Sequence, residues 1–326
     1  MPLTYVGLHD TGFNDDGFVV LRDNGGRPAR SMIPFEDLGH GPQLLCEHGV
    51  PAVPHLLEVL NLTALTKDVL PLHASAFTLD GKGVLVTGWS KGGKTEALLA
   101  AASRGAHYVG DEWIFLTSRG TMWGLPERIR LWAWHLDQLP DVRCARPRRD
   151  RNRMRAWHSL AVAARVAANS GTPGADMARK AAPVLQRQAY IQVPPAGVVG
   201  EAKVDLSGNL DAVVLVLSSS SDDITIAPAG TSEVSRRMAM SLAEERSALL
   251  AHYRQSLFAF PDRRCELLER VGTIEAELLS NLFDGRPAMK VTHPYPCDLV
   301  ALGDAVLGAA DELASRSTAP ASQDRG

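Results

Sequence analysis

The sequence predicts an α/β protein built on a mixed sheet. Three observations carry that expectation. Residues 83–116 read as strand, glycine-rich turn, helix and strand. Residues 211–217 (DAVVLVL), unbroken in apolar character after Asp211, suit a central strand. Helical patterns at 232–252, 265–283 and 299–314 supply cover for such a sheet.

The elements follow in order. Residues 1–40 are rich in Gly and Asp; Phe18–Leu21 reads as a strand, and Asn24-Gly25-Gly26 as a turn. Residues 54–67 place apolar side chains at helical spacing. Gly83–Thr87 (GVLVT) is short, apolar and β-branched, as a buried strand is. Thr95–Ser103 (TEALLAAAS) holds strong helix formers and is closed by Arg104-Gly105. Residues 106–116 read as the next strand. Residues 143–188 differ in kind: seven arginines stand between 143 and 155, and Ala, Gly, Pro and Arg mix after 166, which suggests an insertion or a mobile flap. His293-Pro294-Tyr295-Pro296 reads as a rigid turn before the last helix. The resulting division is an N-terminal α+β segment at 1–69, a main domain at 70–318 with its insertion at 143–188, and a polar, frayed tail at 319–326.

Composition excludes several classes. With 45% hydrophobic and 22% charged residues, the chain is neither disordered nor collagen-like. A net charge of −3 and little aromatic interleaving among the arginines give no support for nucleic-acid binding. No run of about 18 uncharged apolar residues suggests a membrane span. The N-terminus lacks the basic and apolar regions of a signal peptide, and four scattered cysteines fit a reducing cytoplasm. None of them forms a C-x-x-C pair, so no zinc ribbon is expected.

The chemistry concentrates in one loop. Gly88-Trp89-Ser90-Lys91-Gly92-Gly93-Lys94-Thr95 matches G-x-x-x-x-G-K-[ST] at every fixed position, between a strand and a helix. Glycines let successive N–H groups point at phosphate oxygens, and the helix N-terminus adds partial positive charge. Lys94 is then expected to reach the β- and γ-phosphates of ATP or another nucleoside triphosphate, and Thr95 to complete a Mg²⁺ shell.

Asp111-Glu112 follows Lys94 by 17 residues. An Asp-Glu dipeptide is usually a solvated loop pair. One strand after a phosphate loop, it opens onto the same sheet edge and reads as a metal ligand, a water-orienting group or a base. Trp123, Trp132 and Trp134 read first as core, with a pocket wall as the alternative; Trp89 reads as facing the nucleotide or acceptor.

Around these residues the sequence resembles the HPr kinase/phosphorylase family, and more broadly the kinases that share its phosphoenolpyruvate-carboxykinase-like nucleotide fold, lasso-peptide kinases included. The resemblance covers residues 70–117. It rests on His73, Gly83-Val84-Leu85, Ser90, Gly93-Lys94-Thr95-Glu96, Arg104-Gly105 and Asp111-Glu112. It implies Asp111 as general base, His73 as an active-site histidine, and Lys94 and Thr95 as phosphate and Mg²⁺ ligands. Glu96 is included in the nucleotide-binding segment.

The departures shape the expectation. Glu112 stands where the family usually has Asp, and no downstream Pro-Gly-Arg-Asn-like segment is found. HPr is therefore not the expected substrate. Glu127 is nominated as a further metal ligand, and Arg187 and Lys203 as substrate-side basic residues. The expected reaction is transfer of a γ-phosphoryl group to a hydroxyl, either of a small molecule such as a sugar or natural product or of a seryl peptide or protein. A regulatory ATPase, or a binding protein controlled by nucleotide, is the alternative. Family relatives assemble into rings, so a homo-oligomer is compatible with the resemblance.

Overall fold

A computed structural model describes residues 3–7, 11–22, 28–50, 52–169 and 175–318. The turn expected at residues 24–26 and the tail at 319–326 lie outside the described residues.

Among the described residues, two large sheets, a two-stranded ribbon (Ile129–Trp132 with Tyr190–Val193) and their helices form the fold. The N-terminal strands Tyr5–Val6, Thr11–Asn14, Gly17–Arg22, Pro28–Pro34 and Leu45–Cys46 make an antiparallel meander in chain order. Among the described residues the second sheet is nine-stranded and mixed. Its middle holds Lys82–Thr87, Ala212–Ser219 and Ala288–Pro294, paired in parallel. Thr225–Ala229 closes one side antiparallel to Ala288–Pro294. On the other side stands the long strand Val69–Leu79, antiparallel to Lys82–Thr87.

The parallel strands are buried on both faces, which explains their unbroken apolar sequences. Leu85, Val213 and Leu215 point into one core with helices Thr231–Glu245 and Glu266–Phe283 and the N-terminal meander. Val84, Val86, Ala212, Val214 and Val216 point into the other, against helices Lys94–Ser103 and Leu299–Thr318. Alternation by one residue thus fills two cores from one strand.

Four sequence expectations are corrected here. The run 106–116 is two strands, His107–Gly110 and Trp113–Thr117, parted at Asp111-Glu112, where Glu112 adopts φ 69°. Both strands pair with Val69–Leu79 along the same edge, one with its C-terminal half and one with its N-terminal half. The expected long helix at 232–252 is also two, Thr231–Glu245 and Ser247–Ala259, divided at Arg246. Arg246 is buried and forms an ion pair with buried Glu275, so the junction is fixed by a charge inside the core. The arginine-rich run is regular helix over most of its length. Arg148–Ala168 is a helix of 21 residues that packs beside Ala175–Gln188. Finally, His293 and Pro294 end a parallel strand; they are not a turn.

Candidate functional site

Topology brings the site together at one sheet edge. Lys82–Thr87 and His107–Gly110 both run antiparallel to Val69–Leu79, which lies between them. Their carboxyl ends therefore open on the same side. The glycine loop leaves the first of these ends and Asp111 leaves the second. His73 lies beside both, because Ala74 is in register with Thr87 and His73 with Trp113.

The loop is held in shape from several directions. Gly92 N–H donates to the Trp89 carbonyl at 3.0 Å. Ser75 Oγ donates to the Lys94 carbonyl at 2.8 Å, tying the start of helix Lys94–Ser103 to the neighbouring strand. Beneath the loop, His293 Nε2 lies 2.8 Å from the Gly92 carbonyl oxygen. Gly93 has φ 102°, and a Cβ there would stand 2.2 Å from His293 Nε2. Conformation and space both require glycine at 93. Lys91 adopts φ 60°. Trp89 is half-exposed.

Lys94 is buried, and its ammonium donates to the loop's own carbonyls, Trp89 at 2.9 Å and Gly88 at 3.3 Å. Burial lowers the Lys94 pKa, against the raising effect of Glu112, Asp111, Glu245 and Glu96. Thr95 Oγ1 lies within hydrogen-bond distance of both oxygens of Asp111. Burial first, and the Glu112 charge second, push the Asp111 carboxyl up to about 7; Thr95 and Lys94 pull the other way. This carboxylate has little water to support its charge, and it sits where a cation would relieve it.

His73 stands between two acids. Its Nε2 donates to Glu112 Oε2 at 2.9 Å, and its Nδ1 lies 2.6 Å from Glu245 Oε1. Burial opposes ionisation of His73, but the two carboxylates outweigh burial and raise its pKa. The hydrogen bond from His73 in turn lowers the pKa of Glu112 and of Glu245. The three form a chain of acid, imidazole and acid. Trp113 stacks on the imidazole at 5.8 Å.

Around these groups opens a cavity of about 640 Å³. It is lined by His73, the loop from Ser90 to Thr95, Glu96, Asp111, Glu112, Glu127 and Glu245 among others. Glu96 is fixed by His135: the Trp132 N–H donates to His135 Nδ1 at 3.1 Å, so Nε2 carries the proton that meets Glu96 at 3.1 Å. Glu127 joins the lining, and its pKa is raised by burial and by Glu112.

Most residues nominated from sequence thus converge: His73, Ser90 to Glu96, Asp111, Glu112 and Glu127. Lys203 does not. It ends the short turn Glu201–Lys203, with its ammonium near Gly105, beyond the C-terminal end of the helix that starts at the loop. That helix has 10 residues, which puts Lys203 on the order of 15 Å away along the axis. The side chain of Arg187 lies outside the described residues. Sequence reasoning missed Glu245, His135, Arg128, Arg130 and Gln192, all of which line the cavity. Among the described residues, no three His, Cys, Asp or Glu side chains converge as a self-contained metal cage, and no helix is long and apolar enough to cross a membrane. The chain matches no protein-family model and no curated protein.

Proposed function

We propose that this chain is an ATP-dependent kinase, similar to HPr kinases in its nucleotide-binding core, that phosphorylates a hydroxyl group. The observation that carries the reading is the pair formed by Thr95, on the glycine loop, and the buried Asp111 carboxyl beside it. A neutral structural loop has no use for a desolvated acid next to a buried lysine. A triphosphate with its counter-ion does.

The loop N–H groups and the N-terminus of helix Lys94–Ser103 bind the phosphates. Lys94 leaves the carbonyls of Gly88 and Trp89 and turns its ammonium to the phosphate oxygens. The acceptor hydroxyl approaches the γ-phosphorus in line. Its oxygen forms the new P–O bond as the bond to the β–γ bridging oxygen breaks and ADP departs. The hydroxyl proton passes to Asp111 late in this step, because the transition state is loose. A base whose pKa is near 7 is well matched to that task. His73 holds Glu112 and Glu245 in place and balances their charge.

The donor set fits a Mg²⁺ ion shared with the phosphates. Thr95 and Asp111 are adjacent, Glu112 and Glu127 line the same cavity, and such ions take only one or two protein ligands with the rest from phosphate and water. When bound, the ion would neutralise charge on the phosphate oxygens.

The test combines binding with transfer. Wild-type protein should bind ATP with Mg²⁺, and γ-labelled ATP should pass label into a component of pooled cell extract. Failure to bind nucleotide overturns the reading. Release of labelled phosphate at the same rate with and without extract, and no labelled acceptor, makes the chain an ATPase.

A further inference from the structure

The outer wall of the cavity carries two arginines, Arg128 and Arg130, that form no ion pair among the described residues. It is made by the antiparallel ribbon of Ile129–Trp132 and Tyr190–Val193. Side chains alternate along a strand. Ile129 and Leu131 are buried in the core, so Arg128 and Arg130 project the other way. Arg130 is in register with Gln192, and Trp132 with Tyr190, which puts Gln192 and Tyr190 on the same face.

Neither arginine forms an ion pair among the described residues, although five carboxylates line the inner cavity. Four of those acids are held elsewhere, Glu112 and Glu245 by His73, Glu96 by His135 and Asp111 by Thr95; Glu127, the fifth, forms no ion pair among the described residues, and Arg130 acts on Glu112 only as a more distant charge that helps to lower its pKa. Arg130 instead stacks on the Tyr190 ring, 5.0 Å from its centroid, a contact that orients the guanidinium and leaves its N–H groups free for an anion. Arg128 and Gln192 also border a second cavity of about 400 Å³, which extends outward to Arg153 and Trp157 on the helix Arg148–Ala168. Asp150 is the one carboxylate on its lining, against two arginines.

We propose that the phosphoryl acceptor is itself an anion: an alcohol bearing a carboxylate or a phosphate, whose acid group docks on Arg128 and Arg130 while its hydroxyl points inward to Asp111. This rests on the kinase reading. A guanidinium fork takes a carboxylate or phosphate bidentately. The triphosphate has its own donors on the loop, so these arginines serve the second substrate. Tyr190 and Trp132 give the body of that substrate an aromatic wall. The reaction balances as before: the acceptor oxygen gains phosphorus, ADP leaves, and the proton goes to Asp111.

The experiment uses inorganic phosphate and succinate as probes, titrated calorimetrically into full-length protein, both free and saturated with Mg²⁺ and a non-hydrolysable ATP analogue. Saturable binding at about millimolar concentration is expected with the analogue in place. Phosphate alone indicates a phosphorylated alcohol, succinate alone a hydroxy acid, and both a site open to either. The Arg128→Ala/Arg130→Ala protein should lose about ten- to a hundredfold in probe affinity and keep its affinity for the analogue. Should that protein lose its fold, the Arg128→Lys/Arg130→Lys protein, which keeps the charge but not the fork, should bind the probes more weakly than wild type. No probe binding by wild type, unchanged affinity in the variants, or joint loss of the analogue overturns the proposal. Failure of wild type to bind the analogue condemns the kinase reading instead, and titration of the free protein still reads the arginine site.

Discussion

Thr95 Oγ1 lies 3.2 Å from Oδ1 and 3.1 Å from Oδ2 of Asp111. One group starts the helix after the glycine loop and the other ends the strand His107–Gly110. This contact joins the glycine loop to the acid to which the kinase reading gives the acceptor proton.

Asp111→Asn should abolish phosphoryl transfer while nucleotide affinity stays within about threefold, since asparagine keeps a partner for Thr95 but accepts no proton. Parallel loss of ATP affinity in a calorimetric titration would make Asp111 chiefly a metal ligand.

Lys94→Ala should weaken ATP binding and transfer together, each by about tenfold or more, because on the kinase reading the ammonium serves the phosphates in ground and transition states alike. Equilibrium binding and single-turnover transfer measured on one preparation give both numbers. Unaltered ATP affinity would show that the loop does not hold the phosphates.

Activity should depend on pH through Asp111. The free carboxyl ionises at about 7, against 3.8 ordinarily. The kcat/KM for ATP should therefore rise with pH through about 7 and then level. Glu112→Gln removes a charge that raises the Asp111 pKa, so its rising limb should move to lower pH. A limb that stays in place in that variant excludes Asp111 as the titrating group.

Stability should follow the same ionisation with the opposite sign. Between pH 4 and 7 the folded protein keeps a proton on Asp111 that the unfolded chain has released. Stability from this group is complete below that window and falls as pH rises through it. Asp111→Asn escapes the loss. It should gain on wild type by up to about 4 kcal/mol at pH 8 and almost nothing at pH 4. Urea unfolding at the two pH values reads the difference, and equal gains at both refute the linkage.

Gly93→Ala should cost about 1–3 kcal/mol and eliminate ATP binding, because the backbone is left-handed and the new methyl meets His293. Gly272→Ala is the control. It sits inside helix Glu266–Phe283 with nothing within 4 Å of its added Cβ, and should stabilise by about 0.5–1 kcal/mol. Thermal unfolding and ATP titration of both proteins check the contrast.

What could be seen in the sequence was local. The glycine loop, Asp111-Glu112 and His73 fall within 40 residues, and strand–turn–helix order fixes their relation. Glu245 was hidden because its helix looked continuous through 252. The hint was a charge on an apolar face: Val234, Met238, Leu242, Leu249 and Tyr253 are buried along that stripe, and Arg246 stands in its midst. Glu275 interrupts the stripe Leu268, Val271, Leu279, Leu282 in the same way, and the two interruptions meet. Arg128 and Arg130 were legible in principle, since Arg-Ile-Arg-Leu-Trp alternates as a half-buried strand does. Its partner Tyr190–Val193 lies about 60 residues on, across the arginine-rich helices, and no local pattern announces that pairing. The same holds for His293 under Gly92.

That last contact has a bearing on how the protein becomes competent. The peptide at Gly92 is braced by a ring some 200 positions downstream, on the strand Ala288–Pro294. A nascent polypeptide that has completed residues 70–117 owns every letter of the motif but not yet its mould. Competence should therefore arrive only once the strand Ala288–Pro294 has left the ribosome, and a product truncated before that strand should be inert towards nucleotide.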